Sequence, residues 1–212
     1  MKIIPAILTD DISELTSLEN KAEGIVDRIQ IDVIDNKFAN NSTVDPAVLK
    51  NITTVLNLDF HLMVKDPVEW VEHCVPNSAN RMIGQIEFMQ NQMEFVDKVK
   101  ATTTEAGLAI DLDTPIEKVS QNVLPKLDVL LLMSVKAGFG GQEFDLSVFD
   151  KIKAANELRH KLNLNFKLLV DGGVTVELVH EMESLGVDEV AVGKRIFEPS
   201  LVDNLKLFNG QN

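Results

Sequence analysis

The chain has 212 residues, 45% of them hydrophobic and 25% charged, and its 20 basic and 33 acidic side chains leave a formal net charge of −13. One cysteine, Cys74, has no partner in the chain, so a disulfide framework is excluded and a reducing, cytoplasmic setting is expected. The acidic balance argues against a general nucleic-acid or anionic-membrane binder, and no apolar run nears the length of a bilayer span. The first eleven residues lack the basic and apolar regions of a signal peptide, and the mature protein is expected to begin where the sequence does.

No cluster of Gly, Pro or Ser marks a linker, so one domain over residues 1–212 is expected. Eight strand-like segments follow one another: Ile3 to Leu8, Arg28 to Ile34, Leu56 to Leu62, Arg81 to Phe88, Gly107 to Asp111, Leu127 to Ser134, Lys167 to Asp171 and Glu189 to Val192. Helix starts fall between them. Asp45-Pro46 and Asp66-Pro67 each place a capping carboxylate before a proline at the first helical position, and Thr114-Pro115-Ile116-Glu117 has the spacing of a capping box. Val68, Val71 and Val75 share a helical face, as do Val148, Ile152 and Ala155, and Leu178, Met182 and Leu185 before Gly186.

Strand and helix alternating eight times require a parallel sheet, because each helix returns the chain to start the next strand in the same direction. Eight units of about 26 residues predict an α/β fold, a single-domain (β/α)8 TIM barrel with its chemistry at the carboxyl ends of the strands. The rival, a doubly wound open sheet, usually has fewer strands and a nucleotide fingerprint that this sequence lacks.

In the second strand Ile29, Ile31 and Val33 alternate with Gln30 and Asp32. Helices cover the outside of a parallel barrel, so the apolar set belongs there and the polar pair points at the axis. An inward carboxylate near a strand end is costly without a task or a partner; the plain alternative is a salt-bridged structural Asp32. Val170-Asp171-Gly172-Gly173 ends the seventh strand with a second carboxylate and two glycines that let the backbone approach a ligand. Asp32 and Asp171 facing each other across the mouth would suit a reaction in which one removes a proton from carbon and the other returns it to the opposite face. His61 ends the third strand, where its alternative is a hydrogen-bonded core residue, whereas His73, His160 and His180 lie in helical segments and are given no role. Gly138-Phe139-Gly140-Gly141-Gln142, Gly172-Gly173 and Gly193-Lys194-Arg195 form three consecutive loops able to hold a phosphate with backbone N–H groups, at the position of a barrel's usual phosphate site. Met63 and Met133 read as barrel filling that also touches substrate.

Taken in order, Pro5 with Ile7-Leu8, Asp32-Val33 with Asp35 and Phe38, His61-Leu62-Met63, Met133-Ser134-Val135 with Gly138-Phe139-Gly140-Gly141-Gln142, and Val170-Asp171-Gly172-Gly173-Val174 resemble the ribulose-phosphate 3-epimerase family along nearly the whole chain. The resemblance implies an acid/base pair, Asp32 and Asp171, that inverts C3 of D-ribulose 5-phosphate to give D-xylulose 5-phosphate. It implies a divalent metal (zinc, manganese or iron) on Asp32, His61 and Asp171, with Gln30 a weak fourth ligand where the family has a histidine. It further implies phosphate held at Gly138, Phe139, Gly140, Gly141, Gly172, Gly173, Gly193 and Lys194, with Ala6, Met63 and Met133 lining the substrate pocket.

Departures from the family pattern gather near the chemistry. Ala6 stands for a serine, Ile34 for a methionine, Asn36 and Lys37 for a glycine and a histidine, and Lys136-Ala137 for an Asn-Pro pair, while Lys194 replaces a small residue in the phosphate region. Lys37 or Lys136 would supply positive charge if either reached the pocket. The expected ligand is therefore a small-molecule sugar phosphate, with no nucleic acid or membrane partner and with room for a homo-oligomer. Two alternatives stay open: an epimerase of a hexulose phosphate, or a phosphosugar-binding protein that has lost turnover.

Overall fold

The computed structural model describes residues 1–51, 53–77 and 79–210. Eight parallel strands close into a barrel in sequence order: β1 (Lys2–Ile7), β2 (Arg28–Ile34), β3 (Asn57–Met63), β4 (Ala79–Gln85), β5 (Glu105–Ile110), β6 (Val129–Met133), β7 (Lys167–Asp171) and β8 (Glu189–Val192). The register joins Pro5 to Val192 and Ala6 to Gln30, so β1 closes the ring between β8 and β2.

Outside the barrel lie α1 (Ile12–Ala22), α2 (Pro67–Cys74), α3 (Gln92–Ala101), α4 (Val148–Lys161), α5 (Val176–Ser184) and α6 (Leu201–Phe208). Asp66 caps α2 as expected, its side chain accepting from the Val68 N–H ahead of Pro67. Val68 and Val71 of α2 pack on the core, but the helix ends before Val75, which lies in a 3-10 turn and is exposed. Two expected helices are only 3-10 turns. Asp45 still accepts from the Ala47 N–H, yet the segment it opens, Pro46–Asn51, runs into the poor helix formers Thr53, Thr54 and Val55. The capping box at Thr114 does not form: Pro115 precedes a single turn, Ile116–Lys118, and Val119 is already extended. Ser120, Asn122 and Pro125 follow, residues that disfavour a helix, and a second short turn, Leu124–Lys126, completes the crossover.

Apolar residues form two layers separated by the strands. Ile29, Ile31 and Val33 join the outer layer beneath the helices, whereas Ile4, Ala6, Met63, Leu131 and Leu169 fill the lumen. Strand alternation thus sorts each side chain to one layer. It also sends Gln30, Asp32, His61 and Asp171 inward near the carboxyl ends, and Asp59, Arg81 and Glu189 inward nearer the amino ends. Among the described residues no helix is long and apolar enough to cross a membrane.

Candidate active site

At the carboxyl ends of the strands a cavity of about 420 Å³ opens. Asp32, His61 and Asp171 line it, together with Ala6, Met63, Met133 and the loops holding Gly138 to Gln142, Gly172, Gly173, Gly193 and Lys194. The expected catalytic, metal-ligating, phosphate and pocket residues are thereby gathered at one place, with Gln30 hydrogen-bonded to Asp32 and Asp171. Lys37 and Lys136 are both exposed and neither lines the cavity.

Register places Asp32 beside His61 on adjacent strands. His61, fully buried, brings Nδ1 to 3.2 Å from Asp32 Oδ1 and 3.6 Å from Asp171 Oδ2. Gln30, also fully buried, donates from Nε2 to Asp32 Oδ1 at 2.8 Å and to Asp171 Oδ2 at 2.6 Å. Two carboxylates from strands that are not neighbours are thus tied together by one amide and one imidazole.

Burial sets the electrostatics. It pushes the Asp32 carboxyl above the usual carboxylate range, aided by the Asp171 charge and opposed by hydrogen bonds from His61 and Gln30. At His61 burial works against the imidazolium, but the hydrogen bonds and charges of Asp171 and Asp32 outweigh it and raise the group to about 9. Two buried polar atoms, Gln30 Oε1 and His61 Nε2, have no hydrogen-bond partner among the described residues.

One ligand atom from each of Asp32, His61 and Asp171 lies within 4.8 Å of the others, all three residues being buried. Two carboxylate oxygens and an imidazole nitrogen are a donor set that could hold a divalent metal. The arrangement fits such an ion through three residues.

The loops show why glycine is needed. Gly172 and Gly173 have φ of +116° and +60°, and a Cβ at Gly173 would lie 2.4 Å from the Phe144 nitrogen. Ser134 pins this turn to β6 by donating from Oγ to the Asp171 carbonyl at 2.9 Å. Sequence reasoning did not single out Ser134 by itself. It also missed Glu14 and gave no separate role to Arg195, which both line the cavity. Glu14 Oε1 accepts from Lys194 Nζ at 2.9 Å, and Oε2 accepts from Thr9 Oγ1 at 2.6 Å. The hydroxyl, carboxylate and lysine in sequence order give no sign of this meeting, which depends on β8 closing against β1.

A model of the ribulose-phosphate 3 epimerase family matches residues 2–197. The chain belongs to that family. It is 35% identical over 204 residues to a ribulose-phosphate 3-epimerase of Escherichia coli, covering 92% of this chain and 88% of that protein. A ribulose-phosphate 3-epimerase of Mycobacterium bovis is 29% identical over 197 residues, covering 92% and 85% respectively. Among solved structures, 3-keto-L-gulonate-6-phosphate decarboxylase from Vibrio cholerae matches with a TM-score of 0.69 at 11% identity, covering 99% of this chain and 96% of that one. A tryptophan synthase alpha-subunit from Pyrococcus furiosus matches with a TM-score of 0.66 at 14% identity, covering 99% and 98%. At such identities these two structures speak for the barrel alone.

Proposed function

We propose that this family member interconverts D-ribulose 5-phosphate and D-xylulose 5-phosphate by proton transfer at C3 between Asp32 and Asp171. The observation that carries the reading is the pairing itself: two inward carboxylates from β2 and β7, bridged by Gln30 and His61, at the floor of a cavity walled by glycine loops. Inversion needs one carboxylate to take the C3 proton and one carboxylic acid to return a proton to the opposite face. The electron pair left on C3 delocalises onto the C2 carbonyl oxygen, giving an enediolate, before the second transfer. Burial favours a proton on Asp32, which suits it to the acid role when Asp171 is the base, and the reverse reaction exchanges the roles.

His61, held in its protonated form by both aspartates, places positive charge beside the forming enediolate. Zinc, manganese or iron held by Asp32, Asp171 and a deprotonated His61 would supply positive charge at the substrate oxygens in place of the imidazolium. Backbone N–H groups of the loops at Gly138 to Gly141, Gly172-Gly173 and Gly193 would hold the phosphate, with Lys194 at the rim. Ala6, Met63 and Met133 would shape the space around the carbon chain.

The test is to incubate the protein with D-ribulose 5-phosphate in deuterated water and follow deuterium at C3 and formation of D-xylulose 5-phosphate, with and without added zinc or manganese. Exchange at C3 is expected. Exchange on a hexulose phosphate alone would move the substrate to six carbons. Tight phosphosugar binding with no exchange on either would overturn the reading in favour of a binding protein.

A further inference from the structure

The bridge at Gln30 bears on how the site receives a cation. Both N–H groups of its carboxamide are used, one on Asp32 Oδ1 at 2.8 Å and one on Asp171 Oδ2 at 2.6 Å. With the amide turned the other way, Oε1 would meet two carboxylate oxygens, acceptor against acceptor. The orientation is therefore set by the carboxylates. Its consequence is that Oε1 stays buried with no hydrogen-bond partner among the described residues, an arrangement tolerated only because two charge-assisted bonds hold the other end.

Those two carboxylates are also two of the three candidate metal ligands. An ion bound to Asp32 Oδ1 and Asp171 Oδ2 would take the two oxygens that the Gln30 nitrogen already holds at hydrogen-bonding distance. We propose that Gln30 is a positioning residue that takes a cation's place between Asp32 and Asp171, and so competes with a divalent ion for the same oxygens. The inference rests on the reading of these aspartates as the working pair. When the ion enters, both hydrogen bonds from Nε2 are lost and the amide turns. The sole return from Gln30 is its carboxamide oxygen, a ligand poorer than imidazole for transition metals. Without an ion, the amide keeps two buried carboxylates together that would otherwise repel each other.

The test uses manganese(II), a hard ion that does not favour a thioether. Chelator-stripped wild type, Gln30→Met and Gln30→Ala are titrated with Mn2+, and the free ion is counted from its electron paramagnetic resonance signal. The methionine variant preserves volume and the alanine variant opens the position, so one can stand in should the other fold poorly. Both are expected to bind Mn2+ about tenfold or more tightly than wild type. In chelator both should melt lower than wild type, and Mn2+ should raise their Tm by more than it raises that of wild type. Mn2+ binding by the variants that is equal to or weaker than wild type would overturn the proposal and make Gln30 a simple ligand or spacer. Neither readout involves a sugar phosphate. An inactive protein with the expected order of affinities would thus sink the epimerase reading alone.

Discussion

At the amino ends of the strands Arg81, fully buried, donates to Glu189 at 2.6 Å and to Asp59, while Arg28 also reaches Asp59 and Lys167 reaches Glu189 at 3.0 Å. At the carboxyl ends Asp32 and Asp171 share one imidazole and one amide. Both groups lie in the same lumen, and Arg81, Asp59 and Glu189 are as buried as Asp32, His61 and Asp171. In the lower group three cations, Arg28, Arg81 and Lys167, meet three carboxylates, Asp59, Glu105 and Glu189, in ion pairs. In the upper group two carboxyl groups share one imidazole and one neutral amide, with no lysine or arginine among their hydrogen-bond and ion-pair partners, and the cluster faces a cavity of about 420 Å³. A buried cluster that is only structural tends towards balanced pairs, since an unpaired buried charge is expensive. Carboxyl groups without lysine or arginine partners, left facing a cavity, are placed to exchange a proton or to receive a cation or a substrate.

This contrast can be broken from either end. The largest effect is expected from Asp171→Asn, which keeps the shape of the side chain and removes its basicity: C3 exchange should fall by about 10⁴-fold with little change in Tm. Deuterium exchange and a melting curve on the same preparation check it. A loss of fold together with activity would make Asp171 structural and erase the distinction between the two clusters. Arg81→Met should do the converse. It strands Asp59 and Glu189 without their guanidinium, at a cost of about 3–5 kcal/mol in stability. Denaturant unfolding should show that loss, and exchange per folded molecule should stay near wild type.

The distinction was partly visible before folding. Strand alternation sends Gln30 and Asp32 inward, and the observed bounds of β2, β7 and β8 coincide with the expected ones. The carboxyl-terminal clustering of Asp32, His61, Asp171 and the glycine loops followed from barrel closure. Hidden were features fixed by groups far apart in sequence. Arg81 could be read as an inward residue on β4, but its partners come from β3 and β8, 22 and 108 positions away. The direction of the Gln30 amide depends on Asp171, 141 positions away. Helix length misled where a good cap preceded poor helix formers, because a cap starts a turn and cannot sustain it.

Acidity separates the two ends by window. Asp59 is pushed up by burial, against Arg81 and Arg28, from 3.8 to about 6. The native state then binds a proton that the unfolded chain has released, so this contribution to stability is lost as pH rises from about 4 through 6. His61 is raised from 6.5 to about 9, and its contribution is complete below 6.5 and lost as pH rises through 9. Each window spans at most about 3 to 3.5 kcal/mol. Melting curves of chelator-stripped protein between pH 4 and 9.5 should show both declines. Asp59→Asn should flatten the lower one and His61→Gln the upper one. A single decline unaffected by either variant would mean that neither cluster titrates as a unit.

The smallest effect is expected at the rim, and it decides how a chain of net charge −13 holds an anion. Lys194 is 77% exposed at its side chain and already paired with Glu14 at 2.9 Å. An exposed pair of this kind contributes about 1 kcal/mol or less. If backbone N–H groups of the glycine loops carry the phosphate, Lys194→Ala should raise KM for the sugar phosphate by less than about tenfold and leave kcat unchanged. Glu14→Gln should lower KM slightly by freeing the lysine. Steady-state kinetics at two salt concentrations measure both, since a lysine contact weakens with ionic strength more than a buried amide cradle does. A KM increase of a hundredfold would assign the phosphate to Lys194 and reduce the loops to turns. The net charge favours the milder outcome: a single rim cation does little to offset the surrounding acidic surface, whereas N–H dipoles inside the mouth act on the anion at contact distance.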